Sequence, residues 1–161
     1  MKYFLSVIIF FSLTFATYAQ DYLVDLGGKR KIIQTHKYSD YGFYRVFILD
    51  GTFTDNLGNY GSWESIVISK VENSILVQLV FSTVWTFQNG NSIYFEGFRE
   101  DNDADAGVGK AVIIGADERL KSLINTKCTY SIKFMEDYVF GKQKCDFESN
   151  AYAILKNLNI E

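Results

Sequence analysis

The sequence predicts an all-β protein, a small antiparallel β-barrel of about eight strands, with a short helical turn near 117–124 and a C-terminal helix. Three observations lead there. Aromatic residues make up 17% of the chain, with 14 Phe and 11 Tyr, and Pro is absent, a composition that favours pleated sheet over helix. From Phe43 onward, short β-rich runs are punctuated by Gly, Asn and Asp at the spacing of a barrel or sandwich. The runs follow one another as hairpins, and about eight strands let a small sheet close and lose its edges. Hairpin connections favour an up-and-down barrel, with a Greek-key sandwich as the alternative.

Taken in order, Phe43 to Thr54 forms a first clear strand and ends in Asp55-Asn56-Leu57-Gly58-Asn59-Tyr60-Gly61, whose Asn and Gly residues tolerate positive φ. Trp63 to Val71 returns. After Glu72-Asn73-Ser74, the run from Ile75 to Gln88 is the longest, and alternation puts Ile75, Val77, Leu79, Phe81, Trp85 and Phe87 on one core face. Asn89-Gly90 is the strongest hairpin signal in the chain. Ile93 to Arg99 pairs back, an acidic loop Glu100 to Asp105 follows, and Val108 to Gly115 is the next strand. Asp117 is placed to cap a short helical turn that points Leu120, Leu123 and Ile124 inward. Thr126 to Glu136 resumes strand character. Ser149 to Leu158 is expected to be a closing helix with Ala151, Leu155 and Leu158 on one side, with a last short strand as the alternative. Residues 20 to 42 give a weak signal, with Lys29-Arg30-Lys31 exposed and Ile32 to His36 extended.

The first 19 residues carry an address. Lys2 precedes an apolar run from Phe4 to Phe15 that is too short to span a bilayer, and Ala16-Thr17-Tyr18-Ala19 fits a signal-peptidase site, so cleavage is expected after Ala19. The expected organisation is a signal peptide, 1–19, followed by one barrel domain, 20–161, acting in the periplasm or outside the cell. The full chain carries a net charge of −3, and loss of Lys2 makes it one unit more acidic, which excludes the basic footprint of a nucleic-acid binder. No later apolar run is long enough for a membrane helix, and a lipid-facing barrel is expected to alternate throughout and to end on an aromatic residue rather than Glu161. Membrane insertion is therefore not expected, nor is a cofactor.

Cys128 and Cys145 lie equidistant from the Glu136-Asp137 turn, so a simple hairpin sets them opposite one another as a cross-strand disulfide requires. Export to an oxidising compartment would let them pair. Two free buried thiols are the alternative.

Four groups of residues are candidates for chemistry. Tyr94, Glu96 and Phe98 share one strand face. If that face lines the barrel, Glu96 is a buried carboxylate able to move a proton or anchor a ligand; the other parity puts Ile93, Phe95 and Gly97 in the core, with Arg99 near the barrel mouth. Asp101, Asp103 and Asp105 are spaced two apart, as calcium ligands often are, although the loop lacks the closing Glu of an EF-hand; a solvated acidic turn is the alternative. His36 is the only histidine and sits beside Lys37 in a polar segment. Trp63, Trp85 and Tyr130 read as core, with ligand lining as a second role.

The run Gly107-Val108-Gly109-Lys110-Ala111-Val112-Ile113-Ile114-Gly115-Ala116-Asp117, with Leu120 and then Cys128-Thr129-Tyr130, resembles a segment of the allene oxide cyclase and dirigent proteins. That resemblance covers about 40 residues and implies an eight-stranded, calycin-like barrel. It rests on glycine placement, departs from the family at Asp117-Glu118-Arg119, and transfers no active-site residue. Gly61-Ser62-Trp63 is similar to the Gly-x-Trp that opens lipocalin barrels, but a full strand precedes it here.

Three functions fit this pattern. A barrel of this size can bind a small, mostly apolar molecule in its cup, lined by aromatics and a few polar groups. It can act as a cofactor-independent cyclase or isomerase, where Glu96 would move a proton. With its interior filled by its own side chains, it can instead work through its surface on a protein or glycan.

Overall fold

Strict alternation of buried and exposed side chains runs through most strands of this chain, and a sheet with one dry face and one wet face closes naturally on itself. The computed structural model describes residues 20–100 and 102–158; the expected signal peptide and Asp101 lie outside the described residues. The strands are β1 (Gln20–Ser39), β2 (Gly42–Asp55), β3 (Tyr60–Glu72), β4 (Ile75–Phe87), β5 (Ser92–Arg99), a two-residue β6 (Asn102–Asp103), β7 (Ala106–Ala116), β8 (Lys127–Met135) and β9 (Tyr138–Phe147). Each long strand pairs antiparallel with the next, β5 passes to β7, and β9 pairs back onto β1. The result is a closed, up-and-down, eight-stranded barrel, with β6 a stub on the end of β4.

The turns use the residues that the sequence offers for them. Gly58 and Gly90 take positive φ, and so do Asn73, Ser74 and Glu136 at the β3–β4 and β8–β9 turns. Between β7 and β8 a 3-10 helix, η1 (Glu118–Leu123), buries Leu120 and Leu123. A C-terminal helix, α1 (Ser149–Lys156), packs on η1 and buries Ala151 and Leu155, with Leu158 beyond its end. Together they cover the barrel end where β1 begins and β9 stops. Asn59 and Asn89 fasten this cover by donating from Nδ2 to the carbonyls of Leu155 (3.1 Å) and Leu158 (3.5 Å).

Three expectations need correction. The weak segment 20–42 contains the longest strand, β1, of 20 residues. Its first half alternates in the ordinary way, with Tyr22 and Val24 buried. Beyond Arg30 it has left β9 and pairs with β2 alone, so both faces are wet and the apolar alternation disappears. Second, the core face of β4 changes parity near its start. The register shifts between Lys70 and Val71, whose partners are Gln78 and Leu76, so Leu76 is 1% exposed and Ile75 is 54% exposed. Third, Asp117 precedes η1 without capping it through its side chain; its Oδ2 accepts the Ser92 N–H at 2.8 Å and ties η1 to β5 instead.

Cys128 and Cys145 are register partners of β8 and β9 and form a disulfide, with Cα atoms 4.2 Å apart. Both are buried on the barrel's inner side beside β1. The bridge spans 17 residues, for which the chain-entropy account gives about 3 kcal/mol. Reduction, or the pair Cys128→Ser with Cys145→Ser, is expected to lower stability by about that amount in urea titrations, and reduction of the parent should add the mass of two hydrogens.

Candidate functional site

Inside the barrel the side chains form an aromatic stack. Phe53 stacks on Trp85 with centroids 4.9 Å apart, Phe87 meets Phe53 edge-on at 5.3 Å, and Trp85 meets Phe95 at 4.7 Å. These rings fill the half of the barrel nearer α1. Further along, Phe81 and Tyr130 meet edge-on at 5.2 Å, and each lies against a glycine on the neighbouring strand, Gly97 and Gly109. A Cβ at Gly97 would strike the Phe81 ring and the Lys110 carbonyl, and one at Gly109 would strike the Tyr130 ring. Glycine at these two inward positions lets the rings lie flat along the wall rather than across the bore.

Because the rings lie along the wall, packing stops short of the barrel axis. A chamber of about 60 Å3 remains, bounded by Trp63, Trp85, Phe95, Phe81, Leu79 and Phe47 on its apolar side. Six polar residues line it: Ser65, Thr83, Arg99, Tyr130, Ser131 and Gln143. Ser65 and Thr83 are cross-strand partners and share a hydrogen bond between their hydroxyls. The Gln143 Nε2 donates to Cys145 Sγ at 3.5 Å.

Arg99 is less well provided for. Its parity on β5 is that of Ile93 and Phe95, it is only 1% exposed, and its Nη2 donates to the Ala104 carbonyl at 3.3 Å. Its Nε and Nη1, and the Tyr130 hydroxyl, have no hydrogen-bond partner among the described residues. Leaving a buried charged donor unpaired is costly, so such a group marks a place where something else belongs. Burial lowers the Arg99 pKa, an effect opposed by the surroundings of Tyr130, Asp103 and Asp105, and a guanidinium stays charged regardless. Burial also pushes Tyr130 up to about 12, with the Arg99 charge pulling the other way.

The chamber lies toward the end opposite α1, which carries two further inward-facing arginines. Arg30 stacks over Phe134 at 4.5 Å, donates to the Glu136 carbonyl at 2.8 Å, and pairs with Asp105 at 3.6 Å. Arg45 stacks over Phe43 at 4.7 Å, and its pKa is lowered by burial and by the charge of Arg30. Asp105, the acid that these three arginines share, is largely exposed.

The candidates read from the sequence are scattered by this arrangement. Trp85, Trp63 and Tyr130 are in the chamber wall. Tyr94 (42% exposed), Glu96 and Phe98 (50% exposed) face outward, so the inward option for that strand face is corrected. The reason is parity: the inward positions of β5 are taken by Ile93, Phe95, Gly97 and Arg99. Asp103 Oδ1 accepts the Asp105 N–H at 2.8 Å, Asp105 pairs with Arg30, and no group of three metal-ligating side chains converges among the described residues. His36 is exposed on the part of β1 that extends past β9. The polar pair Ser65 and Thr83 was legible as hydrophilic residues on the core parity of β3 and β4, a signal easily passed over within apolar runs.

No protein-family model matches this chain, and no curated protein matches it. What the fold and the chamber define is a class: a closed, up-and-down, eight-stranded β-barrel, capped at one end by a helix, with a small, mostly aromatic interior that contains a guanidinium two of whose nitrogens have no partner among the described residues.

Two outcomes follow from this geometry. Gly97→Ala is expected to destabilise the barrel by about 1–3 kcal/mol, because the new methyl meets both the Phe81 ring and a backbone carbonyl, whereas Gly27→Ala, with nothing within 4 Å, should be neutral or slightly stabilising; urea titration of the two variants checks the contrast. Tyrosine in the unfolded chain ionises near pH 10 and Tyr130 in the folded barrel near 12, so its contribution is whole below about pH 10 and is lost as pH rises toward 12. Stability of the parent should accordingly fall more steeply between those values than that of Tyr130→Phe.

Proposed function

We propose that this protein is an exported binding barrel that holds a small, mostly apolar molecule in its interior. The observation that carries this reading is the chamber itself: packing leaves about 60 Å3 unfilled where aromatic walls meet a few polar groups. A chamber of that size takes a ligand of a few heavy atoms, well below the roughly 300–1,000 Å3 of pockets for drug-sized molecules. Export is supported by the character of residues 1–19 and by the Cys128–Cys145 disulfide, which an oxidising compartment maintains.

A cofactor-independent cyclisation or isomerisation would suit the likeness to allene oxide cyclase and dirigent proteins, but the proton carrier proposed for it, Glu96, stands on the outer wall. A surface-acting module would have no use for buried, unpaired donors in its core. Native mass spectrometry of the mature chain, recovered from its exporting host, tests the binding reading. A small adduct present under native conditions and lost on denaturation is the expected result; a bare chain in both states would contradict it.

A further inference from the structure

We propose that Arg99 and Tyr130 form the recognition point for the carboxylate of a short-chain organic acid, whose apolar body lies against the aromatic wall. This rests on the binding reading above and names the class of ligand. The first support is the guanidinium: it is 1% exposed, lines the chamber, and has N–H groups at Nε and Nη1 with no acceptor among the described residues. The second is the Tyr130 hydroxyl, buried in the same wall and equally without a partner. Two orphan donors, one of them cationic, facing one chamber call for an acceptor that carries negative charge.

Charge balance points the same way. Among the described residues, the chamber wall contains no carboxylate, so the positive charge of Arg99 is offset only from Asp103 and Asp105 in the loop outside it. At the same end Arg30 pairs with Asp105 and Arg45 stacks over Phe43, so of these inward-facing cations it is Arg99 that lines the chamber. The rest of the wall is dominated by Trp63, Trp85, Phe95 and Phe81, with the paired hydroxyls of Ser65 and Thr83 and the Gln143 amide as its other polar groups, so the rest of the ligand is mostly hydrocarbon. The volume limits that hydrocarbon to a short chain.

The two tryptophans of the chain both line the chamber, so intrinsic fluorescence reports its occupancy directly. The mature, disulfide-bonded protein is titrated at pH 7 with sodium butyrate, and separately with 1-butanol, butylamine, sodium chloride and sodium phosphate. A saturable change with butyrate, at least tenfold weaker with each of the others, is the expected result. Arg99→Met should weaken butyrate by about 30-fold or more, since it removes one side of a buried charge pair, and Tyr130→Phe by about three- to tenfold. Arg99→Met should also leave the ligand-free melting temperature unchanged or higher, because it removes a buried charge whose Nε and Nη1 have no acceptor among the described residues.

Butanol binding as well as butyrate would overturn the carboxylate assignment and leave the binding barrel standing. An equal response to chloride or phosphate would overturn the organic acid. No response to butyrate or butanol, with an adduct-free native mass, would remove both readings. A lower melting temperature in Arg99→Met with an unchanged butyrate response would make Arg99 a structural residue and sink the proposal, and Arg99→Lys, which keeps the charge and loses the planar fork, guards against a misfolded Met variant by retaining partial affinity.

Discussion

Everything inside this protein depends on the seam between its first and last strands. From Gln20 opposite Phe147 to Lys29 opposite Tyr138, β1 and β9 exchange backbone hydrogen bonds and turn an eight-stranded ribbon into a tube. An open sheet of this length would present two unpaired edges and a wet apolar face. Closure makes the inner face a core. The seam is reinforced on one side by the disulfide that fixes β9 to β8 and at one end by α1, which contacts both β1 and β9. Seam contacts are also the most distant in sequence, so their loop-closure entropy is large and the rest of the barrel must be in place before they contribute fully.

Once closed, the tube is filled unevenly, and the unevenness has a chemical logic. Near α1, stacked Phe53, Trp85, Phe87 and Phe95 leave little space. Farther along, Gly97 and Gly109 let Phe81 and Tyr130 lie against the wall, and the space they vacate is the chamber. Into that space the fold directs a guanidinium and a phenol, and among the described residues it supplies no acceptor for the Arg99 Nε and Nη1 or for the Tyr130 hydroxyl. A barrel selected for stability alone would put leucine or methionine at position 99, since replacing an unpaired buried charge by an apolar side chain is commonly neutral or favourable. Retaining arginine there makes sense if binding, not packing, is what the position serves.

Much of the architecture was legible in the sequence. Alternation in the strands from Phe43 to Phe147, Asn and Gly at the turns, and the equal spacing of Cys128 and Cys145 about Glu136-Asp137 mark seven of the eight barrel strands, their hairpin order and the last hairpin's register. The helix at Ser149 showed itself by Ala151, Leu155 and Leu158. What escaped was set by tertiary context. The outer half of β1 is stabilised by pairing with β2 rather than by burial, so no apolar pattern marks it. The bulge near Val77 inverts the face of Ile75 and Leu76, and a period-two pattern cannot foresee an inserted residue. For the site, the sequence offered two parities for β5. Only the sheet's curvature decides that Phe95 and Arg99 are inside and Glu96 outside, so the interior charge is a guanidinium rather than a carboxylate.

The central claim is that Arg99 is sealed inside a closed barrel with donors left over. The arginine Nε–H region of a 1H–15N correlation spectrum tests it most directly, with Arg99→Lys identifying the resonance. The account predicts a distinct Arg99 signal that persists at pH 7 and exchanges with water far more slowly than those of exposed arginines. An Arg99 signal broadened away by solvent exchange at the rate of a surface arginine would contradict it, since a guanidinium that samples bulk water has no need of a ligand.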